Sequence, residues 1–169
     1  PEWIEDAAGL KESVDTTEVI KNIDDFIKNT KAKVTKGSPC YIPSQDTIQM
    51  PDRSSFVSNS DASSTSHYYS TFLHELTHWT KGPGRLDRKS GKRFGDPAYS
   101  FEELIAELGA AMLCARLGLD QSPTPDHAKY LNNWLKALQG DKDTKPDYTL
   151  ITDAAKYAQA AVDHLLTYQ

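Results

Sequence analysis

Residues 69–80 read YSTFLHELTHWT, and the spacing inside them leaves little choice of local structure. Tyr68, Tyr69, Phe72, Leu73, Leu76 and Trp79 recur at three- and four-residue steps, the period of one helix face. On the same helix His74 and His78 lie one turn apart, roughly 170° from the centre of the apolar arc, so their position is not that of core histidines. Glu75 stands about 100° around from His74. The spacing predicts a helix over residues 65–81, stopped by the GPG of residues 82–84.

The rest of the chain is arranged around that helix. DTTEVIKNIDDFIKNT, residues 15–30, opens on a capping residue and places Val19, Ile20, Ile23, Phe26 and Ile27 at helical spacing, which predicts an amphipathic helix. Short alternating runs around Val34, residues 40–42 and residues 47–50, separated by Gly37, Pro39 and Pro43, predict a small meander of strands. The serine-rich residues 54–66 read as a loop. A long helix is expected over residues 100–117, ended by Gly118. Another opens at Thr124 with Pro125 in its first turn and runs to residues 139–140, and a last one covers residues 152–168. The fold class is α+β, mainly helical with one small sheet. The chain starts at Pro1 without a methionine, which suggests a piece of a longer protein, with residues 1–14 as a linker from an upstream domain and residues 15–169 as one domain.

Composition narrows the function classes. No run approaches a membrane span, and the first residues, PEWIEDAAGL, have neither a basic nor an apolar signal region, so the chain reads as cytoplasmic with no membrane partner. Its two cysteines, Cys40 and Cys114, have no CxxC spacing and are too few for a disulfide framework. The net charge of -5 and the interrupted basic run RLDRKSGKR argue against a nucleic-acid surface within this domain.

The HELTH pattern alone arises by chance in on the order of one chain in a few hundred, so a metal site needs a third ligand. Two imidazoles at i, i+4 reach one ion at about 2.0–2.1 Å, and a catalytic zinc usually takes three protein ligands. His67 is too far upstream to join, and no HExxHxxGxxH extension follows. SFEELIAELGAAMLCARLG, residues 100–118, supplies the candidate. Phe101, Leu104, Ile105, Leu108, Met112 and Leu119 form an apolar stripe; opposite it stand Glu103, Ala106, Glu107, Ala110 and Cys114, a face of small residues that another helix can approach closely. Carboxylates buried there need a metal or hydrogen bonds. Glu103 is assigned as the third ligand, and Glu107 as the acceptor for the far N–H of a ligand histidine. Glu102, about 100° away, is expected to be exposed.

Such a site implies hydrolysis, with Glu75 as the proton carrier. An oxyanion-stabilising side chain is also expected, for which His127, Tyr130, Tyr99 and Arg85 are open choices and His127 the first. The strand TIQMP is expected to bind an extended peptide by edge pairing, if it borders the cleft. The contrasting reading is a metal-stabilised interaction module without turnover; Glu75 and the lack of an obvious fourth ligand weigh against it.

YIPSQDTIQMP, YYSTFLHELTHWTKGPGRLDR, RFGDPAYSFEELIAELGAAMLCARLGL and HAKYLNNWLKAL resemble successive segments of the zincin-like metallopeptidase domain of ArdC-like plasmid antirestriction proteins. Trp79 and the EELIAELGAA run are the most telling parts. TKGPGRLDR departs from the TGHPSRLNR-like form, and a serine-rich insertion precedes the active helix. The resemblance implies a gluzincin-type site with His74, His78 and Glu103 as ligands and Glu75 as catalytic glutamate. It also implies an upstream single-stranded-DNA-binding domain, absent here, and protection of incoming plasmid DNA from host restriction during conjugation. The partner is then a protein or peptide substrate of the host, and the setting a bacterial cytoplasm, including that of a recipient cell. Zinc is the expected ion, with manganese, cobalt or nickel as substitutes in a purified sample.

Overall fold

The computed structural model describes residues 17–59, 62–89, 97–119 and 149–169. The expected linker over residues 1–14 and the expected helix over residues 124–140, which carries His127 and Tyr130, lie outside them. Among the described residues the order is α1 (Lys21–Asn29), β1 (Lys33–Lys36), β2 (Cys40–Ile42), β3 (Thr47–Met50), α2 (Ser64–Trp79), α3 (Pro97–Leu117) and α4 (Thr149–Leu166). This is the α+β class that the sequence pattern predicts: four helices and one small sheet.

The first helix begins later than the capping signal suggests, because tertiary bonds capture its lead-in. Glu18 N–H donates to Thr65 Oγ1 at 2.8 Å and Ile20 N–H to the Tyr69 hydroxyl at 2.8 Å, so residues 18–20 stay extended against α2. Ile20 then takes the N-cap position with no side-chain cap. Ile23 and Phe26 turn inward.

The three strands fall where the alternating runs put them, but they do not form a meander. β3 lies in the middle, parallel to β1 and antiparallel to β2, with Val34 opposite Ile48 on one side and Tyr41 opposite Ile48 on the other. Both edges of the TIQM strand are therefore occupied, and it cannot take an extended peptide by edge pairing. The buried Ile48 and Met50 of β3 and Tyr41 of β2 pack with Tyr69, Phe72, Leu73 and Leu76 of α2 and with α1.

α2 starts at a side-chain cap, Ser63 accepting from Ser66 N–H. Its burial extends beyond the apolar arc, since Glu75, Thr77 and His78 are covered as well. The cover on the histidine side is α3, whose small face of Ala110 and Cys114 joins the same core. The approach is close enough that a Cβ on Gly109 would lie 2.6 Å from the Thr77 methyl. The opposite stripe, Leu104 and Ile105 with Phe101, Leu108 and Met112, packs on Ala154 and Ala158 of α4. α3 ends as expected: Gly118 has φ +74° and Leu119 N–H returns to Cys114 O at 2.9 Å.

Candidate metal centre

The i, i+4 pair on α2 and the EExxxE run on α3 meet across the seam that Gly109 allows. Both imidazoles turn Nε2 toward one carboxylate: His74 Nε2 is 3.5 Å from Glu103 Oε2, and His78 Nε2 is 3.4 Å from Glu103 Oε1. The two rings stand 4.7 Å apart at 82°. One donor atom from each of His74, His78 and Glu103 lies within 4.8 Å of the others. Two donors about 2.0–2.1 Å from a tetrahedral ion stand about 3.3–3.4 Å apart, close to the 3.5 and 3.4 Å that separate His74 and His78 from the two Glu103 oxygens.

The far nitrogens are engaged too. His74 Nδ1 lies 3.4 Å from Glu107 Oε1, and His78 Nδ1 lies 3.2 Å from Glu102 Oε1. The expectation that Glu102 is exposed is wrong: it is 2% exposed. Its position on the helix wheel does not change; the covering comes from residues 80–89, which fold back over the site. Arg88 forks onto it, Nε to Oε2 at 3.1 Å and Nη2 to Oε1 at 2.8 Å. Neither Arg88 nor Glu102 stands out in the sequence, because a basic loop and a surface glutamate are ordinary features taken one at a time.

Electrostatics follow from this arrangement. Burial alone would raise the Glu103 carboxyl, but the bonds from His74 and His78 outweigh it and hold it well below the usual carboxylate range. Glu102 is likewise lowered against its burial, by His78 and Arg88. Burial works against a charged His78, yet Glu102 and Glu103 together raise it above its ordinary value. The Lys81 ammonium is pushed down by burial, with Glu102, Glu103 and Glu75 pulling it back and Arg88 adding to the fall. Among the described residues, the carboxylates of Glu75, Glu102, Glu103 and Glu107 thus face the cations Arg88 and Lys81.

Glu75 is 7% exposed and one residue along from His74, outside the three-donor cluster. Its charge reaches Cys40 at the start of β2, whose thiol is raised by burial and then by Glu75. Of the open choices for an oxyanion donor, Arg85 is committed elsewhere. Its Nε donates to Trp79 O at 2.7 Å, its guanidinium lies 3.9 Å over the Trp79 ring, and it pairs with Asp46 and the Tyr41 hydroxyl. Tyr99 lies in the first turn of α3, half-buried.

A helix that carries HELTH, packed on a second helix that delivers a glutamate between the two histidines, is matched by a family model. The model of the zincin-like metallopeptidases termed MPTase-PolyVal covers residues 21–158. This chain belongs to the zincin-like metallopeptidase family. The crystal structure of antirestriction ArdC protein from the R388 plasmid with Mn(II) bound resembles this zincin-like chain at a TM-score of 0.70 and 39% identity, covering 90% of this chain and 53% of that one. The metal-free ArdC structure gives 0.67 and 40%, over 90% and 52%. DNA primase TraC of Escherichia coli is 45% identical over 101 residues, 60% of this chain and 9% of TraC. Uncharacterized protein y4eC of Sinorhizobium fredii is 41% identical over 121 residues, 72% of this chain and 36% of that protein. The zincin-like chain thus spans about half the length of the ArdC structures and a smaller part of the TraC and y4eC relatives.

Proposed function

We propose that this chain is the metal-dependent peptidase domain of an ArdC-like antirestriction protein, with His74, His78 and Glu103 as ligands of a divalent ion and Glu75 as general base. The observation that carries the reading is the convergence of both Nε2 atoms on Glu103 while Glu75, on the same helix, stays out of the donor set. A structural site has no use for a spare buried carboxylate beside it and is usually closed by a fourth protein ligand. Bound there, the ion would polarise a scissile carbonyl and acidify water, and zinc is the ion that two imidazoles and a carboxylate suit best. ArdC itself has been solved with Mn(II), which supports a divalent ion.

The chain's own residues do the rest. Glu75 accepts a proton on its carboxylate and delivers it to the leaving amine. Glu107 and Glu102 accept the Nδ1–H of His74 and His78 and so leave each Nε2 free to ligate. With both edges of β3 taken, the outer edge of β2, whose Cys40 thiol feels the Glu75 charge, is the place for an extended substrate to pair. His127 stays the first choice for the oxyanion donor. In the wider role, the substrate is a host protein, single-stranded DNA is bound by an upstream domain, and the setting is a bacterial cytoplasm during plasmid transfer.

The test is Glu75→Gln. It should retain metal and fold while lowering peptide hydrolysis by about 10²–10⁴-fold or more. Full protection of incoming DNA by that variant would sink the catalytic reading in favour of an interaction module.

A further inference from the structure

We propose that Arg88 is a positioning residue for the metal centre: by clamping Glu102 it fixes His78 as the Nδ1–H tautomer and aims its Nε2 at the ion. This rests on the reading that His74, His78 and Glu103 hold a metal. It adds a clamp on the carboxylate that faces His78.

The Glu102 side chain, facing His78, is 3% exposed and takes two nitrogens of one guanidinium in a fork, the geometry only arginine offers. Arg88 is itself anchored. Its Nη1 donates to Thr80 Oγ1 at 2.7 Å and its Nη2 to Thr77 O at 3.1 Å, so the cation also closes the carbonyl end of α2. The backbone prepares the placement: Leu86 N–H bonds Thr80 O at 3.0 Å, and Asp87 adopts φ +51°, a left-handed turn that aspartate tolerates and that reverses the chain just before Arg88.

Each link therefore leads inward, from the α2 end to Arg88, then to Glu102, then to His78 Nδ1. A carboxylate fixed at that nitrogen leaves one tautomer and one ring orientation.

The experiment uses the chelator-stripped protein, Mn²⁺ affinity by competition with a chromophoric chelator, and ¹⁵N NMR of the histidine ring nitrogens in the metal-free state at a pH alkaline enough for neutral imidazoles, the only form that has a tautomer to read. Replacing the pair together, Arg88→Met with Glu102→Leu, leaves no unpaired buried charge. That variant should bind Mn²⁺ about 10–100-fold more weakly. His78 should lose its single tautomer while His74 keeps its own. Arg88→Lys, which retains the charge and loses the fork, should also mix the His78 tautomers and weaken binding several-fold, and it serves if the double variant does not fold. A folded variant that binds within twofold of the wild type, or one that disturbs both histidines alike, overturns the proposal. Because the tautomer is read without metal, a wild type that fails to bind Mn²⁺ would count against the ligand assignment and leave this result separate.

Discussion

Glu103 and His78 shift in opposite directions, and the two shifts together predict how the metal-free protein responds to pH. The Glu103 carboxyl, held below its ordinary 4.5, stabilises the fold above that pH, and its contribution fades as pH falls through the folded value. The His78 imidazole, raised above its ordinary 6.5, stabilises below that pH, and its contribution fades as pH rises through the folded value. Both act in full between 4.5 and 6.5, so chelator-treated protein should resist thermal unfolding best in that window. Metal removes the alkaline decline, because imidazoles ligate unprotonated. Scanning fluorimetry across pH with and without chelator checks this; unfolding midpoints of the stripped protein that stay level from neutral to alkaline pH would contradict it. The convergence of His74, His78 and Glu103 was legible because i, i+4 spacing fixes which side chains share a face. The burial of Glu102 was not, since it depends on a guanidinium that arrives from residue 88 through a turn that no periodicity encodes.

At the scale of elements, the site depends on how closely α2 and α3 approach. Thr77 is fully buried and its hydroxyl bonds Leu73 O at 2.8 Å, so its methyl cannot swing away from a Cβ placed on Gly109. Alanine would gain about 1 kcal/mol in helix propensity over glycine, whereas overpacking costs about 1–3 kcal/mol. Gly109→Ala should therefore lose roughly 1 kcal/mol net in urea unfolding and weaken metal binding as the helices part. Adding Thr77→Ser, which removes the methyl, should restore part of both; no recovery would mean that the seam is not the cause. Helix positions were readable from the 3.6 period, and α3 could be given two buried faces from its small residues. The late start of α1 was hidden, because the Thr65 and Tyr69 hydroxyls that hold residues 18–20 extended come from α2.

Across the whole molecule, the proposed ion ties α2 to α3, and its removal should be felt by the entire fold. At a free concentration 100 times its dissociation constant, a ligand adds about 2.7 kcal/mol, which for a chain of this size is about 5–10 °C in midpoint. Thermal unfolding with saturating Zn²⁺ and with chelator measures it, and identical midpoints would refute a metal held by the native fold. The sheet bears on how that fold is reached. Strand positions were legible from alternation and strand order was not, since period two says nothing about neighbours. With β3 laid between β1 and β2, the first two strands never touch each other, and residues 33–42 cannot close as a hairpin on the way to the native state. Sheet formation has to wait for the third strand, and the parallel pairing it then makes with β1 is a non-local step. The local step open to the sheet is the β2–β3 hairpin closed by residues 43–46, and β1 docks onto it afterwards, so mutations in β1 should slow refolding less than they speed unfolding.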